Sequence, residues 1–113
     1  MHELAITQSI LNIALEQAAA ARAGKVTRIN LTIGELSGFV DESIEFHFGF
    51  LSRDTIAAGA ALSFDKPTAR LRCRKCQKEF SPEESLWVCP SCLEPGAEVV
   101  SGRECYVSSI EVE

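Results

Sequence analysis

Four cysteines arranged as two pairs, Cys73-Arg74-Lys75-Cys76 and Cys89-Pro90-Ser91-Cys92, carry the most specific chemistry in this chain. Twelve residues separate the pairs. Two CxxC turns joined by a short hairpin at that spacing bring four thiolates around one tetrahedral ion, with backbone N–H groups supporting the sulfurs. Zinc suits the set best, because four ligands close the coordination sphere and leave no open position for catalysis. Two other chemistries compete for the same residues. A rubredoxin-like iron site fits the Cys-Pro-Ser-Cys half, but neither pair is followed by the glycine that such sites favour. Disulfide or thioredoxin-like redox chemistry is the other, and the thioredoxin form needs one CxxC at a helix N-terminus, not two facing copies.

The elements that would position these sulfurs are legible from periodicity. Residues 3–23 read as a helix, with Leu4, Ile6, Ile10, Ile13, Ala14 and Leu15 and then an alanine-rich stretch, stopped by Gly24. Lys25–Ile33 alternates as a half-buried strand, Ile29, Leu31 and Ile33 on one face and Arg28, Asn30 and Thr32 on the other. Asp41 is expected to cap a second helix in which Ile44, Phe48 and Leu51 fall at i, i+4 and i+7, with Phe46 and Phe50 widening the apolar face. Ala61–Lys66 is a short strand broken by Pro67, and Tyr106, Ser108, Ile110 and Val112 alternate in a last strand that returns to the first sheet. The expected fold class is therefore α+β: a small mixed sheet of about three strands with two helices, plus an inserted zinc-ribbon-like four-cysteine module. Residues 1–68 and 102–113 would form the α/β domain and residues 69–101 the metal module. Both ends of such an insert enter one sheet, a connection able to pass a change at the metal to the main domain.

The 113 residues, 46% of them apolar, suffice for a modest core. No apolar run reaches the roughly 18 residues of a membrane span, and no basic region precedes an apolar stretch as in a signal peptide, so the chain is expected to be cytoplasmic and away from membranes. In a reducing compartment the fifth cysteine, Cys105, is a packing residue and not a disulfide partner. The net charge of −5 argues against nonspecific nucleic-acid binding. Its distribution is uneven. Residues 1–65 hold four basic and eight acidic side chains, residues 66–103 seven and five. Arg70, Arg72, Arg74, Lys75 and Lys78 flank the first knuckle, as local compensation for four thiolates or as a docking surface.

A second metal-binding pattern opens the chain. In Met1-His2-Glu3 a free amine, the His2 backbone nitrogen and its imidazole can close adjacent chelate rings in one plane, and bulky His2 disfavours removal of Met1. Square-planar nitrogen coordination favours Ni(II) or Cu(II). Taken alone, the same residues read as a terminal histidine exposed to solvent.

Met1-His2-Glu3-Leu4, Gly34-Glu35-Leu36-Ser37-Gly38 followed by Glu42-Ser43, Gly59-Ala60, the paired CxxC knuckles and the closing Ser109-Ile110-Glu111-Val112-Glu113 together resemble the HypA/HybF family of hydrogenase nickel-incorporation proteins, in order over essentially the whole chain. The resemblance implies a nickel metallochaperone with two sites. Ni(2+) would be held by His2 with the main chain of Met1 and Glu3, and a structural Zn(2+) by Cys73, Cys76, Cys89 and Cys92. It also implies a HypB-type GTPase as partner, a [NiFe]-hydrogenase large-subunit precursor as recipient and, in some members, urease accessory proteins. Some members use an extra histidine in the zinc module; here the only other histidine is His47, in the second helix. Glu35 and Glu42 could steer a cation near nickel, and Glu42 could equally support the helix start. No phosphate loop and no His-carboxylate pairing at a catalytic spacing is present, so no enzyme is expected. The rival reading is a zinc-ribbon interaction module binding nucleic acid through the basic patch, which the acidic remainder and the sparse aromatics disfavour.

Overall fold

Buried positions in the first helix recur at Thr7, Ile10, Leu11, Ala14 and Ala18, one stripe of a 3.6-residue period. A computed structural model describes residues 2–82, 88–93 and 96–113, of His2 the backbone alone. The elements run α1 (His2–Ala20), β1 (Val26–Ile33), α2 (Asp41–Leu51), β2 (Ala61–Asp65), β3 (Arg70–Arg72), β4 (Glu79–Phe80), β5 (Glu98–Ser101) and β6 (Cys105–Val112).

Helix α1 stops before Gly24. The Ala23 N–H donates to the Ala18 carbonyl at 2.9 Å and the Arg22 N–H to that of Ala19 at 3.0 Å, with Arg22 in the left-handed region at φ 54°. Those paired reverse bonds close the helix, and Arg22 holds the place usually taken by glycine. At the start of α2 the expectation for Asp41 is corrected: Val40 is the N-cap, extended and without a side-chain cap, while Asp41 and Glu42 set their charges in the first turn against the positive end of the helix dipole. Ile44 and Phe48 are buried, and α2 packs on α1. Phe46 and Phe50 do not widen that face; they are 74% and 62% exposed.

Strands β2-β1-β6 form one sheet. β1 and β2 are parallel, in register from Arg28 opposite Ala61 to Thr32 opposite Asp65, and α2 lies in the connection between them. β6 runs antiparallel to β1, since the Glu113 N–H reaches the Lys25 carbonyl while Ser108 lies against Asn30 and Thr32. The sheet is mixed, as expected, and Ile29 and Leu31 of β1 are buried. β6, however, does not present one alternating face. Cys105, Val107 and Ile110 are half-buried, whereas the consecutive Ser108 and Ser109 are both exposed. Ser108 hydrogen-bonds the Thr32 hydroxyl and Ser109 the Asn30 side-chain amide, so both hydroxyls are spent on polar groups of β1. Tyr106 stands 53% exposed.

The chain divides into two compact units, Met1–Thr32 with Gly38–Asp65 and Cys105–Glu113, and Ile33–Ser37 with Lys66–Glu104. The first holds both helices and the sheet just described. In the second, β3 is central, with β4 and β5 antiparallel on either side, and Leu71 and Phe80 are buried with Cys73 and Cys89.

Ile33–Ser37 acts within that second unit as a latch. The Gly34 N–H donates to the Glu104 carbonyl at 2.7 Å, the Leu36 N–H to that of Gly102 at 2.6 Å and the Glu35 N–H to that of Pro67 at 3.0 Å. Glu35 also accepts the Ala69 N–H on its carboxylate at 2.9 Å, which gives this residue a structural task. A Cβ on Gly34 would lie 2.2 Å from the Gly102 carbonyl oxygen, so only glycine fits.

Candidate metal centre

Each cysteine pair is held by the same backbone device. At the first knuckle β3 delivers Cys73, whose carbonyl accepts the Gln77 N–H at 2.9 Å and whose N–H reaches the Lys78 carbonyl at 2.9 Å. At the second, the Cys89 carbonyl accepts the Leu93 N–H at 2.9 Å. The residue after each pair turns back through the left-handed region, Gln77 at φ 66° and Leu93 at φ 57°. These are the two positions at which the sequence lacks glycine; here non-glycine residues adopt the conformation directly.

The turns converge. All four sulfurs lie within 4.8 Å of one another, with Cys73 to Cys92 at 3.3 Å and Cys76 to Cys89 at 3.5 Å. A tetrahedron with metal–sulfur distances of about 2.3 Å has edges of about 3.8 Å, in the middle of that range. The two close pairs are far longer than the roughly 2.05 Å of a disulfide, and none of the five cysteines is disulfide-bonded. The residues therefore fit one four-thiolate metal ion, in a zinc-ribbon-like module.

The sulfurs are prepared unequally for ionisation. The Cys76 N–H, donating to the Cys73 sulfur at 3.5 Å, is the chief reason the Cys73 thiol is pulled down to about 6. Cys89 is lowered in the same way, first by the Cys92 N–H. Cys76 moves upward: the Lys78 N–H favours its thiolate, but Cys89, burial and Cys73 together outweigh that contact. Four clustered thiolates repel one another, and a divalent cation is what lets all of them ionise together. Among these causes the amide donors do what the sequence assigned to the basic cluster. Arg72 instead pairs with Glu79 at 3.3 Å and Glu98 at 3.7 Å, and Lys78 donates to the Ser91 hydroxyl at 2.9 Å.

The nickel assignment falls mostly outside the described residues, which exclude Met1 and the side chain of His2. Helix α1 begins at His2, and the Glu3 carbonyl accepts the buried Thr7 hydroxyl. His47 is half-buried in α2 with its ring edge-on to Phe46, 5.5 Å between centroids, and joins no cluster of metal-ligating groups among the described residues. Neither Glu35 nor Glu42 joins one. The latch at Gly34 and the left-handed pair at Gln77 and Leu93 escaped the sequence reading; the matching position of Gln77 and Leu93, each directly after a CxxC, was the available signal.

A family model described as "Hydrogenase/urease nickel incorporation, metallochaperone, hypA" matches residues 1–112. The chain is 46% identical over 113 residues to the hydrogenase maturation factor HypA of Dehalococcoides mccartyi strain CBDB1, covering 100% of this chain and 95% of the relative. It is 42% identical over 113 residues to the HypA of Geotalea uraniireducens, covering both chains fully. Two solved structures share the fold: a solution structure of HypA protein, with a TM-score of 0.78 at 24% identity over 100% of this chain and 97% of the other, and the solution structure of the Ni metallochaperone HypA from Helicobacter pylori, with a TM-score of 0.70 at 23% identity over 97% and 96%.

Proposed function

Because the chain belongs to the HypA family of hydrogenase and urease nickel-incorporation metallochaperones, we propose that it takes up Ni(II) at its N-terminus and hands it on during hydrogenase maturation, while Cys73, Cys76, Cys89 and Cys92 hold a resident zinc. The full-length family match carries this reading. Zinc follows from the donors: four thiolates form a closed shell for a d10 ion without redox chemistry, and they leave no position for incoming cargo. The recipient is a [NiFe]-hydrogenase large-subunit precursor, with a HypB-type GTPase as partner in the delivery. Urease accessory proteins are the second destination, on the family description.

For the cargo site the supporting feature is where α1 begins. The first four N–H groups of a helix have no acceptor within it, so amides near His2 and Glu3 can lose their protons to a metal without breaking a helical bond. A cation at this end is opposed by the helix dipole. Deprotonated amides remove that conflict, and the His2 imidazole with the Met1 amine would complete a square of nitrogens suited to Ni(II). Equilibrium dialysis of the untagged chain against Ni(II), with metals counted by mass spectrometry, tests this. We expect one zinc and one nickel per chain, nickel alone being lost in His2→Ala and in a chain extended before Met1. Zinc without histidine-dependent nickel would reject the cargo site.

A further inference from the structure

Within the second unit, β5 is an edge strand: among the described residues it pairs with β3 alone. Along it opens a cavity of about 500 Å³ lined by Arg74, Val99, Val100, Arg103 and Glu104, among others. The acids around the cavity are already engaged. Glu98 faces Arg72 at 3.7 Å, and Glu104 accepts the Gly102 N–H at 2.7 Å. Arg74 and Arg103 are exposed, and among the described residues neither guanidinium has an ion pair or hydrogen bond. Val100 stands 40% exposed beside them.

We propose that this groove receives an extended acidic segment of a partner protein, added as a strand to the open edge of β5 with a carboxylate held by Arg74 and Arg103. An open edge offers backbone donors and acceptors to any extended chain, so affinity would come from main-chain pairing and selectivity from the side chains flanking it. Arginine forks match carboxylates in two-point contacts, which selects an acidic segment over a neutral one. Val100 supplies an apolar contact for the residue beside the acid. Self-association through paired β5 strands is disfavoured because it would bring the same two arginines of each copy together. The groove reaches the first knuckle through Arg74, and its occupancy does not depend on the cargo being nickel.

The test uses the full chain, metal-loaded and 15N-labelled, titrated with a short peptide alternating valine and glutamate. We expect amide shifts at Val99, Val100 and Ser101, and binding at least about tenfold weaker in Arg74→Ala/Arg103→Ala, the loss appropriate to a charge-assisted hydrogen bond. A valine–lysine peptide should not bind. Two further peptides, N-methylated on one or the other of their two edges, need no change in the protein: one should bind and the other fail. Equal binding by both would overturn strand addition, as would undiminished binding to a folded, metal-loaded double variant. Tighter capture of duplex DNA than of the acidic peptide, or a dimer through β5, would also overturn it.

Discussion

The first unit buries Ile10, Leu11, Ala14, Ala18, Val26, Ile29, Leu31, Ile44, Phe48 and Ala57, contributed by two helices and a sheet. Among the described residues the second buries the apolar side chains of Ile33, Ala69, Leu71 and Phe80, and the remaining members of its buried cluster, Cys73 and Cys89, are two of the four converging thiols. At about 25 cal/mol per Å² of apolar area, burial stabilises the first unit through ten side chains, whereas the second has three large ones, Ile33, Leu71 and Phe80, too few to offset the conformational entropy of its chain. One unit folds by apolar burial and the other by ligation. A core of carbon persists whatever the solution holds, while a core of sulfur depends on pH and on metal supply.

Removing the metal should produce the largest effect and separates the units most sharply. Chelation, or Cys76→Ser, withdraws a binding free energy on the order of 10 kcal/mol from the second unit. Amide exchange should rise throughout β3, β4 and β5, while α1 and α2 keep their far-ultraviolet helical signal. Loss of the helices together with the metal would break the comparison.

Substitutions at the two cores come next. Ile29→Ala, at a fully buried position of β1, should lower the stability of the first unit by about 3 kcal/mol and leave the metal content at one per chain. Gly34→Ala should do the reverse. Its Cβ collides with the Gly102 carbonyl, so the latch of the second unit must open, at a cost of about 2–4 kcal/mol read as weakened metal retention. If Ile29→Ala released metal, the units would share one folding transition.

Acidification sharpens the contrast further. In the metal-free second unit Cys73 titrates near 6 against 9.0 for a free thiol, so its thiolate favours the folded form. That contribution is fully present above about 9 and is lost as pH falls through about 6. Cys89 shifts in the same direction, whereas Cys76 is raised and works against the fold of this unit at alkaline pH, as burial makes Cys105 do in the first unit. The residual protection of β3 and β5 amides that survives metal removal should therefore increase between pH 6 and 8. With metal bound, protons compete for the sulfurs and release should begin below that window. The N-terminal site adds its own dependence: nickel affinity should fall at least about tenfold per unit below neutral, since amide protons must leave for it to bind. A flat nickel affinity between pH 6 and 8 would remove the amide ligands from the proposal.

Sequence alone carried both the fold class and the sulfur site, because each rests on a short period or a fixed spacing. Alternation placed β1 and its buried Ile29 and Leu31; CxxC spacing brought four sulfurs together. What escaped it depends on geometry between segments distant in sequence. Simple alternation set Tyr106 and Ile110 of β6 on one face, yet they differ in burial, because what covers a strand is supplied by segments remote in the chain. Phe46 and Phe50 are aromatic and at helical spacing, yet nothing in a single helix says that its neighbour covers only Ile44 and Phe48. Gly34 reads as a turn glycine, and its true constraint lies in Gly102, 68 positions onward in the chain.

The smallest effects fall at the left-handed residues and expose the same difference between the units. Arg22 closes α1 at φ 54° and Leu93 closes the second knuckle at φ 57°, both with a Cβ that this region disfavours. Replacing either by glycine relieves about 1 kcal/mol of backbone strain, partly offset by the greater freedom of glycine in the unfolded chain. Leu93 is 74% exposed, so its side chain gives up little packing. In the first unit the gain from Arg22→Gly should appear as a melting midpoint raised by a few degrees, with metal affinity unchanged. In the second, folding and ligation are one equilibrium, so the gain from Leu93→Gly should appear as metal bound up to about fivefold more tightly, measured against a competing chelator, with little change in the melting of the helices. The same chemical change would then be read by temperature in one unit and by metal in the other. If Leu93→Gly raised the helical melting point and left metal affinity alone, ligation would not be what folds the second unit.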